Sequence, residues 1–310
     1  MSDGLPVGFE PSRPRREEAA EIAALIVEME LAQEGEAETT TADVLRDWEV
    51  MDTHQDAWLV RKGGTLVAYG CVQAHPRGAV ADGFVHPDAT GRGVGRFLVR
   101  MLEARAGELA DGGFVQNAVS LNDDAGQRLL EAEGYRPARR FLRMLVELQG
   151  PPALAELPGI VIRPMAAGEE AAFHSVVERA FATHWGHVPM TSEEWWALRA
   201  AQGSDDTSLF FVAEGDGELV GEISCDAERF GVGWVMTLGV LPEARGLGIG
   251  RALLLCSFVA FWERGQPRVG LAVDADNDTG ASRVYEAAGM RLAFGAITFE
   301  KPLGTGTVRP

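Results

Sequence analysis

The sequence is short of cysteine, of basic residues and of long apolar runs. Its 310 residues include three cysteines, Cys71, Cys225 and Cys256, which lie far apart. Their number is odd and their spacing matches no metal-binding pattern, which argues against a disulfide framework or a metal site and favours a reducing cytoplasm. Lysine and arginine total 28 against 46 acidic residues, a formal net charge of −18. This balance argues against nucleic acid as a main partner, because phosphate binding needs a basic face.

No segment of the sequence is typical of a membrane protein. The longest apolar run, residues 252–262, is too short to cross a bilayer and is typical of a buried helix. The first residues, "MSDGLPVGFEPSRPRREE", contain no apolar core, so we predict neither a signal peptide nor a membrane partner. The chain does contain 46% apolar residues, enough for the cores of two domains of ordinary size. We expect a cytoplasmic globular protein.

The chain repeats itself at a constant offset of 155 positions. "HPDATGRGVGRFLV" (86–99) and "LPEARGLGIGRALL" (241–254) each place three glycines at alternate positions before a predicted helix. The same offset relates Asn122 to Asn277. A repeat of half the chain length predicts two copies of one domain. Residues 149–159, "QGPPALAELPG", are rich in proline and glycine and are predicted to be the linker between them.

The order of predicted elements is the same in both halves. In the first half the pattern predicts helices near 16–34 and 41–50, a hairpin at 57–73, a strand at 79–86, a helix at 95–109, a strand at 114–121, a helix at 124–133 and a strand at 139–148. In the second half Ser192 is the predicted cap of the second helix. The predicted fold class is α/β with a mixed sheet. Domains are expected at 1–148 and 160–310, each a central mixed β-sheet flanked by helices.

A glycine-rich loop between a strand and a helix is typical of an anion site. The first turn of a helix leaves backbone N–H groups unpaired, and the peptide dipoles place partial positive charge there. Glycine lets the main chain approach a phosphate closely. The loop end Gly250-Arg251-Ala252 lacks the lysine and hydroxyl of a nucleoside-triphosphate loop, and the glycine spacing differs from that of dinucleotide-binding proteins. We therefore expect the phosphate or pyrophosphate of another ligand.

These motifs resemble the acetyl-CoA signature of the GNAT (Gcn5-related) N-acetyltransferases. Residues 245–250, "RGLGIG", match the loop pattern of the family in full, and Asn277 and Tyr285 match its next strand–helix unit with one extra residue between them. The resemblance covers nearly the whole chain, once per half, and the tandem layout is similar to that of mycothiol synthases and other two-domain acetyltransferases. It implies acetyl-CoA as the cofactor and direct attack of a primary amine on the thioester.

The resemblance also implies roles for individual residues. The strand before the loop would pair with the pantetheine amides of coenzyme A, and the loop would bind the pyrophosphate. Tyr285 would be the general acid for the leaving thiolate, which agrees with the chemistry of a phenol. The implied cofactor-binding residues are Leu238, Gly239, Val240, Arg245, Gly246, Leu247, Gly248, Ile249, Gly250, Arg251 and Asn277 in the second half and Phe84, Val85, Gly91, Arg92, Gly93, Val94, Gly95 and Arg96 in the first.

The two halves differ at positions where the chemistry depends on the side chain. The residue 155 positions before Tyr285 is Leu130, which cannot donate a proton, and the residue 155 before Arg245 is Thr90. We therefore predict that the second half catalyses, and that the first is catalytically degenerate and binds coenzyme A weakly or only supports the fold. A coenzyme A sensor without turnover is the alternative, which the full set of motif residues in the second half disfavours.

The general base is less evident from the sequence. Some tandem members place a glutamate at the start of the strand before the loop, where this sequence has Trp234. That departure counts against a mycothiol synthase. Glu222 on the neighbouring hairpin strand is the preferred candidate, followed by Asp274 and Asp276. A solvated acid at a strand edge is the alternative for all three.

The acceptor pocket is expected at residues 180–196, between the first two helices of the second half. His184 and Trp185 offer aromatic and imidazole surface for a substrate. Trp195 and Trp196 lie on one helix and cannot both face inward, so one is expected in the core. The expected acceptor is a small-molecule primary amine, with a cysteinyl amino-sugar conjugate as the alternative. The acyl chain preferred, and the choice between monomer and homodimer, stay open.

Overall fold

A computed structural model describes residues 4–201, 204, 206–276 and 280–304. The chain divides into two compact units. Unit 1 comprises residues 1–141 and 294–310, and unit 2 comprises residues 142–293. Among the described residues, no helix combines the length and the apolar character needed to cross a membrane.

Unit 1 is built on a mixed sheet with the strand order β1-β2-β3-β4-β5-β12. Its elements are β1 (Phe9–Ser12), α1 (Ala19–Glu34), α2 (Thr41–Asp47), α3 (Thr53–Asp56), β2 (Ala57–Lys62), β3 (Thr65–His75), β4 (Gly78–Val85), α4 (Val94–Leu109), β5 (Phe114–Ser120), α5 (Asp124–Ala132) and β12 (Arg291–Pro302). The first four strands are antiparallel, β4 and β5 are parallel, and β12 is antiparallel to β5. One face packs on α4 and the other on α1 and α2.

Unit 2 repeats this plan with the strand order β7-β8-β9-β10-β11-β6. Its elements are β6 (Arg136–Glu147), β7 (Ile160–Pro164), α6 (Glu170–Phe181), α7 (Ser192–Ala201), β8 (Phe211–Gly215), β9 (Glu218–Arg229), β10 (Val232–Val240), α8 (Ile249–Glu263), β11 (Arg268–Asp274) and α9 (Ala281–Ala287). β7 to β10 are antiparallel, and β10 and β11 are parallel. One face packs on α8 and the other on α6 and α7.

The predicted domain boundaries need one correction, which concerns the last strand of each half. β6 continues into unit 2, where Met144 is 3% exposed in the core, and β12 ends in unit 1, where Phe299 is 1% exposed. The physical reason is that alternating apolar residues identify a strand and its buried face but not the sheet that the strand joins. Residues 148–159, which include the predicted linker, contain no helix or strand.

The predicted elements are otherwise confirmed to within a few residues, with two short additions. β1 and α3 were not predicted, and each has only four residues, too few to show a periodic pattern. β1 also contains Pro11, which is tolerated because β1 lies at a sheet edge. The predicted cap Ser192 is wrong by one residue. The hydroxyl oxygen of Thr191 accepts a hydrogen bond from the N–H of Glu194 at 3.2 Å, and the N–H of Thr191 donates to the Glu194 carboxylate at 2.7 Å. This pair of hydrogen bonds is a capping box.

Candidate active site

The two parallel strands of unit 2 diverge toward their carboxyl ends. β10 pairs with β11 only at residues 233–235, which oppose residues 269–271. Further along, Gly239 pairs with Glu222 of β9 on its other side. Within the described ranges, the β11 side of residues 238–240 therefore has no strand partner. Backbone amides and carbonyls left free in this way can pair with the amides of an extended ligand.

A bulge in β10 lies directly beside this opening. The register of β10 against β9 shifts between Val235 and Thr237, so Met236 is the extra residue. A bulge bends and twists its strand locally. The bulge therefore lies just after the last residues of β10 that pair with β11.

The glycine loop ends in an uncapped helix start. Gly246 and Gly248 have φ of +83° and +84°, a left-handed conformation that a residue with a Cβ adopts only at a cost. Gly248 is the N-cap of α8 and offers no side chain to its first N–H groups. Those N–H groups, together with the helix dipole, form a donor set that fits a pyrophosphate. Leu247 is 59% exposed, so the loop does not bury its own apolar residue.

Arg245 has a structural role that the sequence did not indicate. Its Nε–H donates to the carbonyl of Val240 at 3.1 Å, and its Nη2 donates to the carbonyl of Ala180 at 3.2 Å. The guanidinium thus ties the loop to the end of β10 and to α6. Arg251 makes only a long contact, 3.5 Å, with the carbonyl of Ala287.

Glu222 lies at the centre of a hydroxyl network on β9 and β10. The carboxyl group is fully buried, and its Oε2 accepts a hydrogen bond from Thr237 Oγ1 at 2.8 Å. Thr237 in turn lies 2.6 Å from Ser224 Oγ. Burial raises the pKa of Glu222 to about 8, and the hydrogen bond from Thr237 opposes that shift. A carboxyl that titrates near neutral pH is suited to accept a proton.

The second oxygen of Glu222 faces the diverging strand. Oε1 is buried and accepts no well-aligned hydrogen bond among the described atoms, but the backbone N–H of Gly239 lies near the carboxyl group and lowers its pKa. A Cβ built on Gly239 would lie 2.7 Å from this oxygen and 2.9 Å from Ala180 Cβ. Gly239 therefore leaves the space into which Oε1 projects, beside the backbone that the resemblance assigns to the pantetheine. A buried carboxyl group with so few hydrogen bonds is costly to keep ionised.

Tyr285 of α9 is buried in the same unit. It is 8% exposed and packs in the core cluster that contains Ile249 and Leu253 of α8. Burial raises the pKa of Tyr285 to about 12, and the charge of Glu222 adds to the shift. The phenol therefore stays protonated across the physiological range, and it is close enough to Glu222 to be coupled to it electrostatically. Asn277 lies outside the described residues.

The other candidate bases are less suitable. Asp274 accepts a hydrogen bond from the N–H of Asp276 at 2.9 Å, a local turn at the end of β11, and Asp276 is exposed. Trp234 is 7% exposed, contacts the Phe230 ring at 5.2 Å between centroids and lies 4.4 Å from the Arg143 guanidinium. The start of β10 therefore holds an aromatic cluster in place of a carboxylate.

Of the predicted acceptor residues, His184 is connected to Gly239 through the ring of Phe181. The ring of Phe181 lies 3.3 Å from the Cβ position of Gly239, and His184 meets that ring edge-on at 4.6 Å between centroids. His184 and Trp185 are half-buried in the turn after α6. Trp195 is buried against Phe173, as expected for one of the two tryptophans of α7.

Unit 1 has a cavity of about 600 Å³ at the equivalent position. β4 and β5 pair only at residues 78–80 and 114–116 before they diverge, as in unit 2. Of the predicted residues, those lining the cavity are Phe84, Val85, Gly91, Gly93, Gly95 and Arg96. Arg92 and Val94 do not line it, and Val94 is fully buried. Leu130 lines it where unit 2 has Tyr285.

The paired registers identify a substitution that the sequence did not indicate. In unit 1, Tyr69 opposes Phe84, and in unit 2, Glu222 opposes Gly239. Tyr69 therefore occupies the position of Glu222, and Phe84 that of Gly239. The rings of Tyr69 and Phe84 stack at 6.1 Å, and the Tyr69 hydroxyl accepts from Trp48 Nε1 at 2.9 Å. Glu222 lies 153 positions after Tyr69, whereas Gly239 lies 155 positions after Phe84. The single offset of 155 therefore does not align Glu222 with Tyr69.

The free edge of residues 238–240 and the uncapped start of α8 fit a ligand that carries both amides and a pyrophosphate, as a coenzyme A thioester does. The model of the acetyltransferase (GNAT) family matches residues 20–135 and 171–290. The mycothiol acetyltransferase of Thermomonospora curvata is 35% identical over 249 residues, 77% of this chain and 80% of that protein. That of Sanguibacter keddieii is 34% identical over 277 residues, 83% of this chain and 84% of that protein. The chain belongs to the GNAT acetyltransferase family.

Solved structures agree with this assignment. A GCN5-related N-acetyltransferase from Sphaerobacter thermophilus has a TM-score of 0.87 and 33% identity, and the match covers 96% of this chain and 97% of that one. A tandem GNAT protein from the clavulanic acid biosynthesis pathway shares the fold with a TM-score of 0.68 at 18% identity, over 96% and 99% of the two chains. The chain is thus a tandem GNAT acyltransferase, and acetyl-CoA is the acyl donor of its family.

Proposed function

We propose that unit 2 transfers the acetyl group of acetyl-CoA to a primary amine of a small molecule by direct attack. The observation that carries this proposal is the fully buried carboxyl group of Glu222, whose Oε1 projects toward the backbone of Gly239. It places a candidate base beside the strand that would hold the thioester. Unit 1 has Tyr69, Phe84 and Leu130 at the positions of Glu222, Gly239 and Tyr285.

The backbone of unit 2 would hold the donor. Acetyl-CoA supplies the thioester carbon that the amine attacks. The free edge of residues 238–240 would pair with the pantetheine amides, and the N–H groups at the start of α8 would bind the pyrophosphate. Holding the two reactants in line accounts for much of the rate gain in a reaction of this kind.

Glu222 would take the proton of the attacking amine. Because the carboxyl has no exposed surface, a bridging water would carry the proton to Oε1. Thr237 holds Oε2 through its hydroxyl, which fixes the orientation of the carboxyl group. With a pKa of about 8, Glu222 becomes a carboxylate as the pH rises through that value.

Tyr285 would stabilise the leaving thiolate. A thiol has a pKa near 8.5, below the value of about 12 to which burial raises the pKa of Tyr285. Complete proton transfer from the phenol is therefore uphill, and the phenol would act chiefly as a hydrogen-bond donor to the developing negative charge on sulfur.

A second candidate is the reaction of the mycothiol acetyltransferases, in which the amine belongs to a cysteinyl amino-sugar conjugate. It is favoured by relatives of that name at 34–35% identity over most of the chain. The aromatic cluster around Trp234 counts against it, because the start of β10 offers no carboxylate. Turnover of this conjugate by the intact protein, compared with simple amino sugars and cysteine derivatives, separates the two candidates.

The test of the proposal is release of free thiol from acetyl-CoA in the presence of an amine panel. Wild type is expected to release thiol only when an amine is present and to form the N-acetyl product in equal amount. Glu222→Gln and Tyr285→Phe are expected to lose most of this activity while still binding acetyl-CoA in a calorimetric titration. Binding without turnover of any amine would favour a sensor, and full activity in both variants would reject unit 2 as the catalytic unit.

A further inference from the structure

A single arginine is buried in unit 2 next to the hydroxyl network. Arg199 of α7 is 5% exposed, and its guanidinium lies 4.7 Å from the Trp195 ring and 4.9 Å from the Phe210 ring. Its Nε–H donates to the carbonyl of Ser204 at 3.1 Å, whereas its Nη2 is buried with no partner in the described part of the chain. A buried cation with so few partners is expensive unless another charge compensates it.

The strand register places this guanidinium near Glu222. Phe210, on which Arg199 stacks, immediately precedes β8, and Val212 of β8 lies directly opposite Glu222. Val212 and Phe210 belong to the core cluster that Trp195 joins, on the face covered by α6 and α7. Arg199 and Glu222 therefore lie on the same face of the sheet, under α6 and α7.

The charges around this pair come from three elements. Glu222 interacts with Arg199 of α7 and with Tyr285 of α9. Arg199 interacts with Glu222 first, and then with Asp226, Cys225 and Arg229 of β9. Ser204 Oγ donates to Asp226 at 3.1 Å, so that carboxylate is already engaged. Glu222 is the largest opposite charge acting on Arg199.

We propose that Arg199 is a positioning residue whose buried positive charge keeps the Glu222 carboxyl ionisable within unit 2. The proposal rests on the proposed function, because it assigns Glu222 the role of base. Without the arginine, the fully buried carboxyl would lose its one compensating cation and would remain protonated to a higher pH. The attraction of Arg199 already opposes the rise in the pKa of Glu222 that burial causes.

Unit 1 has the opposite charge at the corresponding helix. There burial raises the pKa of Tyr69 and of Asp82, and the charge of Asp47 of α2 adds to both shifts. Tyr69 occupies the position of Glu222. A positive charge on the second helix thus accompanies the acidic residue, and a negative charge accompanies its replacement.

The experiment uses Arg199→Met, which retains an apolar stem between the rings, and Arg199→Lys, which retains the charge. In both, kcat/KM for acetyl transfer is measured against pH, with Arg264→Met, an exposed arginine of the same unit, as the control. For Arg199→Met we expect the apparent pKa of the profile to rise by a unit or more, with a loss of about tenfold in kcat/KM at pH 7 that is recovered at high pH. Arg199→Lys and Arg264→Met should keep the wild-type profile.

A second measurement does not depend on activity. The free energy of unfolding in urea is measured from pH 4 to 10 for wild type, Arg199→Met, Glu222→Gln and the double variant. The contribution of Glu222 to the free energy of unfolding is the difference between each protein and its Glu222→Gln counterpart. In wild type this contribution should fall as the pH rises to about 8, and in Arg199→Met it should continue to fall to higher pH.

If the contribution of Glu222 falls over the same pH range with and without Arg199, the role of Arg199 is rejected, even if Glu222 proves to be the base. If the fall moves to higher pH in Arg199→Met but Glu222→Gln leaves the pH dependence of kcat/KM unchanged, the coupling of Arg199 to Glu222 is supported and the proposed function is rejected. If Arg199→Met does not fold, the same comparison is made with Arg199→Lys and Arg199→Gln.

Discussion

The two units share a sheet, a helix arrangement and a glycine loop, but they differ where proton transfer would occur. Both have a parallel strand pair that diverges after three residue pairs, and both place a left-handed glycine before the long helix. Unit 2 has Glu222 and Tyr285, and unit 1 has Tyr69 and Leu130 at the same positions. The comparison teaches that the backbone features proposed to bind a donor can be present in a repeat that lacks the proposed acid–base side chains.

The space beside the diverging strand also differs between the units. In unit 2, Gly239 leaves room for a buried carboxyl oxygen, whereas in unit 1 Phe84 fills the equivalent position and stacks on Tyr69. Unit 1 nevertheless retains a cavity of about 600 Å³ along its loop. Aromatic packing has therefore replaced the polar network without closing the cavity.

The largest effect is expected from blocking one loop at a time. Gly248→Trp adds a bulky side chain at a φ of +84° at the start of α8 and should abolish acetyl transfer. Gly93→Trp makes the same change at a φ of +86° in unit 1 and should leave kcat within about twofold of wild type. Steady-state kinetics and calorimetric titration of acetyl-CoA measure both. Loss of activity only with Gly93→Trp would reverse the assignment of the units.

Glu222→Gln is expected to have the next largest effect. Removing a general base typically costs about 10²–10⁴ in rate, and binding of acetyl-CoA should be unchanged. The rise of kcat/KM with pH through about 8 should disappear, because the amide cannot ionise. Glu218→Gln, an exposed acid at the start of the same strand, is the matched control and should behave as wild type. A retained pH dependence in Glu222→Gln would point to another base.

Tyr285→Phe tests the donor to the leaving thiolate. We expect kcat to fall by about 10–100-fold, with little change in KM, because one hydrogen bond to a developing charge is lost. Tyr69→Phe makes the same change at a buried tyrosine of unit 1, and it should cost stability through the Trp48 hydrogen bond but not kcat. Equal losses in the two variants would mean that Tyr285 contributes packing only.

The sequence predicted most elements and the loops, and the reasons for its failures are physical. The offset of 155 located Leu130 and Thr90, because the strand–loop–helix segment has the same length in both halves. It did not locate Tyr69, because β3 and β9 are related by an offset of 153; the sequence shows this two-residue shift between the hairpins, and the strand register confirms which residues it pairs. Burial of Glu222 and of Arg199 depends on contacts between β9 and α7 that no local pattern encodes.

The exchange of the last strands could not be predicted for a related reason. β6 and β12 are both 12 residues long, and each carries a buried apolar residue, Met144 and Phe299. Their alternation fits either sheet, so the sequence specified two strands and left their partners undetermined. The choice between Thr191 and Ser192 as a helix cap is decided by the reach of the Glu194 side chain.

The smallest effect tests the space beside Glu222 and can be read without any substrate. A Cβ at Gly239 would lie 2.7 Å from Glu222 Oε1 and 2.9 Å from Ala180 Cβ, so Gly239→Ala forces either α6 or the carboxyl to move. Overpacking of this kind costs about 1–3 kcal/mol, and urea unfolding should show the loss. Gly107→Ala is the matched control, because Gly107 lies within α4 with no atom near its Cβ position, and it should stabilise by about 0.5–1 kcal/mol. The loss in Gly239→Ala should shrink when Glu222 is replaced by a shorter residue, as in Glu222→Ala, if the carboxyl is the group displaced. If Gly239→Ala costs the same stability in the Glu222→Ala background, the added Cβ clashes with Ala180 and not with the oxygen of Glu222.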